Sequence, residues 1–459
     1  MRLPHIGRFL LFLSFCSFLS PCIQGQDNAA STFNFTKVDT QLLEDVNEFD
    51  RQLEKKGLVL HAPELDAYLE SVGKQLIGGR PVPEQVEFHF RVMRDPMVNA
   101  FALPNGSVYV TTGLLSLLEN EAELAAVLGH EISHVYERHS YIEYRSSRKK
   151  VLAITVIQGV AAVFPGGANL SVAMNGFCAV IQLSAALSSE ILVASIYGYS
   201  REMERQADSD GSVALVSANY DPAAMARLFE LLDQDQKLEF EPVQGFYHDH
   251  PKLTERRAAA LDFASAHSLK QPLQGTESEY LKKVAPAITA NIQSDINNRR
   301  ARTAVARATR LTTAMPDEPK YQVLLADSYR ALGAKTKAPS ETELTKHGQA
   351  QDRKEYFKLT EQEEQQRLKE KPEGAAVLRE NQEQAERLYQ AVIQSNPSFA
   401  EAHRGLGFLY EQEAKFFEAS TEYRRYLELA AGTSLDRIRI EHRLAAVEKS
   451  IPTPAPQAQ

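Results

Sequence analysis

Cysteine, excess basic charge and long uninterrupted apolar runs are all scarce in this 459-residue chain. Of its three cysteines, Cys16 and Cys22 lie in the first 25 residues, which leaves Cys178 alone and excludes an internal disulfide in a processed chain. Cys178 sits in an apolar run and reads as a small buried hydrophobe. With 51 Lys and Arg against 60 Asp and Glu, the net charge of -9 offers no clustered positive surface for phosphate, so nucleic acid is not an expected partner. A hydrophobic content of 43% is ordinary for a globular protein that folds by packing.

The one early apolar run, Phe9 to Leu19, follows Arg2 and Arg8 and precedes Ser20, Pro21 and small residues ending near Gly25. That order predicts a secretory signal peptide over residues 1–25 and a periplasmic or secreted location. Leu19-Ser20-Pro21-Cys22 loosely resembles a lipoprotein site, but Pro21 departs from the small residue expected there, so cleavage is preferred over lipid anchoring. Later, the apolar stretch 151–199 is split by Pro165-Gly166-Gly167 and interrupted by Asn175, Gln182 and Glu190. It reads as a helical hairpin inserted in the folded domain, with peripheral membrane contact as the alternative.

The remaining chain predicts an α+β domain over residues 26–275 and an all-α domain over 276–450, with a Pro-rich disordered tail at 451–459. Residues 38–78 carry apolar positions at helical spacing. Val86 to Val92 alternates as a half-buried strand, and Ser107 to Thr111 forms a second strand after the Pro104-Asn105-Gly106 turn. Beyond 276, Leu406, Gly407, Tyr410, Ala419 and Tyr423 fit the helix-turn-helix pattern of tetratricopeptide (TPR) repeats. A step of 34 residues returns to Ala385 and Tyr389, and Ala304, Leu325, Ala326 and Tyr329 keep the offsets, around a charged insertion at 340–378.

Chemistry is concentrated in a helix expected from Glu121 to about Arg138. His130-Glu131-Ile132-Ser133-His134 puts two imidazoles at i and i+4, on one face, where both can meet one metal ion. Zinc suits nitrogen and oxygen donors in a tetrahedral set, and three protein ligands leave one position open for water. Glu131 then stands beside the metal as a base for water attack. For the third ligand, Glu204 and Asp208 share a helical face in Ser200 to Asp208, whereas Glu202 lies about 200° away on the helical wheel. Glu204 is therefore the ligand candidate and Asp208 the acceptor of a ring N–H from a ligating histidine. A solvated charged face is the alternative for the same stretch. His139 reads as structural.

These segments resemble the HExxH zinc metallopeptidase family that includes the CAAX prenyl protease and the periplasmic β-barrel assembly-enhancing protease. The resemblance rests on Asn99 to Gly106, His130 to His134 with Arg138-His139, Ser200 to Asp208, and His250-Pro251 with Arg256. It implies a gluzincin-type fold with a small sheet, one zinc ion on His130, His134 and Glu204, and Glu131 as base. It further implies that the strand at Asn99, Ala100 and Phe101 pairs with an extended substrate, with Asn99 in direct contact. His250 would either stabilise the oxyanion or occupy the open zinc position, with His248 a weaker candidate for the same roles.

The signal, the absence of several membrane spans and the helical repeats together resemble the periplasmic assembly-enhancing type. The expected function is an endopeptidase for misfolded or stalled envelope proteins, its repeats recruiting substrate or outer-membrane assembly machinery. The alternative is a chaperone-like scaffold whose zinc site is blocked or weakly active.

Overall fold

The computed structural model describes residues 34–146, 199–238, 253–298, 300–334, 373–432 and 434–451. The expected signal peptide, most of the 151–199 hairpin, Cys178, His248, His250, residues 340–372 of the insertion and the tail from 452 lie outside them. Among the described residues no helix is long and apolar enough to cross a membrane.

The helical period at 38–78 resolves into two helices, α1 (Lys37–Lys55) and α2 (Pro63–Ile77), parted by Gly57 at φ +67° and the short strand β1 (Val59–Leu60). Glycine reaches that left-handed conformation without a Cβ clash, so the chain turns there. Strand β2 (His89–Met93) begins later than the alternation predicts. The cause is local: Val86 N–H donates to Pro83 in a turn, and Glu87 N–H donates to Asn105 in the turn before Ser107. β3 (Ala100–Ala102) and β4 (Ser107–Thr111) complete the sheet, the latter at its predicted bounds.

The order is β1-β2-β4-β3, with β2 and β4 parallel and both outer pairs antiparallel. Among the described residues β3 is therefore an edge strand. Alternation sends Val108 and Val110 to one face and Tyr109 to the other, and both faces are covered. α1 covers one through Phe49 and Leu53 packed with Phe101 and Tyr109, and Asp50 accepts hydrogen bonds from Ser107 Oγ (2.6 Å) and Tyr109 Oη (2.8 Å).

The other face receives α2, α3 (Thr112–Leu117) and α4 (Glu121–Tyr136), then α5 (Arg201–Ser217), α6 (Ala223–Leu238) and α7 (Leu253–Ala266). α4 starts on a reciprocal cap, in which Asn120 accepts from Glu123 N–H (3.0 Å) and Glu123 accepts from Asn120 N–H. It ends at Tyr136 because Arg138 takes φ +57°, and a further helical stretch, 139–146, folds back from there.

Helical hairpins follow: α8 (Glu277–Asn297) with α9 (Ala301–Ala314), α10 (Pro319–Leu332) with α11 (Glu373–Ser395), α12 (Ala400–Gln412) with α13 (Phe416–Leu429), and a last helix α14 (Leu435–Ser450). The fold class is as expected: a mostly helical α+β domain followed by helical repeats. The period-34 residues Ala385, Tyr389, Leu406, Ala419 and Tyr423 are buried between the helices. α8 also belongs to the core of the preceding domain, since Tyr280, Val284 and Ile288 share one apolar cluster with α2 and α4. Thr112 Oγ1 and Asn291 bond across that junction at 3.0 Å.

The loop between β2 and β3 buries Asp95, whose Oδ1 accepts from Met97 N–H while Oδ2 has no hydrogen-bond partner among the described residues. Burial pushes its carboxyl up to about 6, against the Met97 N–H and Arg300, which pull it down. The folded protein thus holds this proton more tightly than the unfolded chain. The resulting stability is present below about pH 4 and lost as pH rises through about 6, by about 3 kcal/mol. Urea unfolding of Asp95→Asn beside the parent should show the variant gaining by about that amount between these limits. A constant difference would mean that Asp95 does not titrate there.

Candidate metal centre

Two helices build the centre. α4 contributes His130, Glu131 and His134, and α5, capped by Ser200 accepting from Met203 N–H, contributes Glu204 and Asp208. The helices cross where Gly129 meets Gly211: a Cβ on Gly211 would lie 2.9 Å from His130 N and 3.1 Å from Gly129 C. Those neighbours are backbone and cannot rotate away. Gly211→Ala should therefore force α5 off α4, costing about 1–3 kcal/mol in denaturant unfolding and weakening metal binding in the same protein.

The donor atoms converge as the spacing predicts. His130 Nε2 lies 3.0 Å from His134 Nε2 and 3.5 Å from Glu204 Oε2, and His134 Nε2 lies 3.8 Å from Glu204 Oε1. Tetrahedral zinc with bonds of about 2.0–2.1 Å sets its ligands about 3.3 Å apart, so the three donors fit that ion. All three side chains are buried, and they form the group among the described residues able to hold a metal. The solvated-face alternative for Glu204 is thereby excluded.

Around the donors lies a charged frame. Asp208 Oδ1 is 3.0 Å from His130 Nδ1, which leaves His130 Nε2 as the lone-pair nitrogen. Arg256, buried on α7, donates from Nε and Nη2 to both Asp208 oxygens at 2.8 and 2.7 Å, lies 3.6 Å from Glu204 Oε2, and rests on the Phe229 ring. Burial raises the Asp208 carboxyl, but Arg256 and His130 outweigh it and hold the group below its ordinary value. For His130, burial lowers the imidazole and Asp208 with Glu204 more than restores it. Arg256 was legible only as part of the His250-Pro251 motif, with no role attached.

Two other groups touch His134. Tyr199 stacks on its ring at 4.2 Å, donates its N–H to Glu204 Oε1 (3.2 Å) and bonds through its hydroxyl to Ser140 (2.7 Å). No spacing in the sequence announces Tyr199. His139 Nδ1 lies 2.9 Å from His134 Nδ1, so this histidine, read from sequence as structural, touches a ligand. Burial holds its imidazole below the ordinary value.

Glu131 is buried beside the donors, and the N–H of Ala102 on β3 faces its carboxyl. Burial pushes its carboxyl up to about 7, with Glu204 adding to the rise and His130, Arg256 and the Ala102 N–H opposing it. The edge strand therefore runs beside this carboxyl. Flanking β3, Asn99 and Leu103 bond to β4 through the backbone, which by alternation makes Phe101 a bonded pair with Tyr109 and turns the backbone of Ala100 and Ala102 to the side where no described strand pairs. Phe101 packs its ring on Tyr109 and faces the core, away from that edge. Asn99 is buried, and both polar atoms of its side chain lack a hydrogen-bond partner among the described residues.

Residues 63–264 match Peptidase family M48. The chain is 27% identical over 213 residues to the beta-barrel assembly-enhancing protease of Yersinia pestis, covering 46% of this chain and 42% of that protein. It is 26% identical over 235 residues to the protein of the same name from Escherichia coli, covering 51% and 45%. With the mitochondrial metalloendopeptidase OMA1 of Schizosaccharomyces pombe it shares 31% identity over 190 residues, 41% of this chain and 50% of that one. The chain thus spans half or less of the length of these relatives. The resemblance carried by the four motifs is borne out where they lie: residues 63–264 are similar to Peptidase family M48 and bring together three donors able to hold a metal ion.

Proposed function

We propose that the chain is a zinc-dependent endopeptidase that hydrolyses extended segments of misfolded or stalled envelope proteins, and that it works in the periplasm. The observation that carries this reading is the meeting of three buried donors, a buried carboxyl poised near neutrality and β3, the edge strand among the described residues, at one place. His130, His134 and Glu204 would hold the ion, which when bound supplies Lewis acidity toward water and a peptide carbonyl.

This chain's own residues do the rest. Glu131 takes a proton from the attacking water and returns it to the leaving amide nitrogen, a role suited to a carboxyl whose affinity for protons lies near the working pH. Backbone groups of Ala100 and Ala102 pair with an extended substrate, a grip that tolerates many sequences. Asn99, with its unmatched amide, is the side chain proposed to hold the substrate backbone. His250 is proposed to act at the open position, as oxyanion partner or as block.

The names of the bacterial relatives support the envelope assignment, and the helical repeats offer a surface for recruiting substrate or assembly machinery. Casein cleavage with and without a zinc chelator tests the reading, with His250→Ala run beside the parent. Activity that disappears with chelator and returns with zinc supports it, and a gain in His250→Ala identifies a self-blocked site. Zinc-loaded protein that cleaves nothing, even with envelope extracts added, would replace it with the chaperone-like scaffold.

A further inference from the structure

The two nitrogens of His134 face different chemistry. Nε2 points to His130 and Glu204, whereas Nδ1 meets Nδ1 of His139 at 2.9 Å. Between two neutral imidazole nitrogens one must donate and the other accept, and the pair alone does not decide which.

The decision comes from farther out. His139 Nε2 is 3.3 Å from Gln206 Oε1, and Gln206 Nε2 is 2.7 Å from Glu137 Oε2. A carboxylate only accepts, so Gln206 must turn its NH2 to Glu137 and its oxygen to His139. That oxygen also only accepts, so His139 carries its hydrogen on Nε2 and a lone pair on Nδ1. His134 then donates from Nδ1, and its lone pair lies on Nε2, toward the other donors.

We propose that Glu137, acting through Gln206 and His139, fixes the tautomer of His134 and so makes Nε2 its ligating atom. All three are positioning residues. His130 obtains the same service directly from Asp208, whereas His134 obtains it from an exposed carboxylate three hydrogen bonds away. The left-handed turn at Arg138 is what returns His139 to His134. The inference rests on the zinc reading of the site.

Reversing the outer end tests it. In Glu137→Lys an ammonium that only donates would turn Gln206 around, place the hydrogen of His139 on Nδ1 and that of His134 on Nε2. Zinc affinity, measured by chelator competition, should fall about 10- to 100-fold. Adding Gln206→Glu, an acceptor toward both neighbours, should restore it. Nitrogen-15 shifts of His134 in metal-free, histidine-labelled protein supply the readout that a change in surface charge would not move. The proposal expects an Nδ1–H tautomer in the parent, Nε2–H in Glu137→Lys, and Nδ1–H again in the double variant. The same tautomer in all three overturns it, whatever the affinities. A parent that shows the Nδ1–H tautomer yet binds no zinc would instead overturn the metal reading.

Discussion

Glu131→Gln should slow peptide hydrolysis by about 10³- to 10⁴-fold, within the range that a positioned general base supplies, while zinc affinity stays within a few-fold of the parent. The substitution keeps the shape of the side chain and an oxygen for the Ala102 N–H, and the three donors are untouched. It removes the one feature the reaction needs, a group that can take up a proton. Turnover of a quenched fluorescent casein, normalised to zinc content, measures it. A variant that retained more than a tenth of the parent rate would show that another group accepts the proton.

The second large effect concerns stability. Arg256→Leu removes the cation that faces Asp208 and Glu204 in a buried setting, and breaking one side of such a pair costs about 3–5 kcal/mol. Urea unfolding of metal-free protein should show that loss. Zinc should return part of it, because an ion that binds only the folded state stabilises that state and brings positive charge to the same carboxylates. Arg256→Lys keeps the charge but not the two-pronged geometry, so its loss should be smaller. If Arg256→Leu unfolds with the parent's midpoint, the Arg256–Asp208 pair does not support the centre.

The metal donors were legible because helical spacing alone joins His130 to His134, and Glu204 to Asp208, on single faces. Sequence could not show that the two helices meet at Gly129 and Gly211, since a glycine contact has no periodic signature. It passed over Tyr199 for a similar reason: a lone aromatic beside a helix start looks like any other. His139 was read as structural, and its contact with His134 was not legible because the helix was expected to run to Arg138. On a continuous helix, residues five apart diverge, and only the left-handed Arg138 folds His139 back onto His134. Phe101 was grouped with Asn99 and Ala100 as one substrate-facing segment, yet strand alternation sends its side chain to the core. In the repeats, the 34-residue period named the buried positions, because there the apolar contacts recur with the helices themselves.

On the proposed reading, His130, His134 and Glu204 together hold one zinc ion. X-ray absorption at the zinc edge, on protein loaded with one equivalent, tests it most directly when parent and Glu204→Gln are compared. A low-coordinate nitrogen and oxygen shell with two imidazoles is expected in the parent, and loss of that shell or of the bound zinc in the variant. An unchanged spectrum and unchanged zinc content in Glu204→Gln would contradict it.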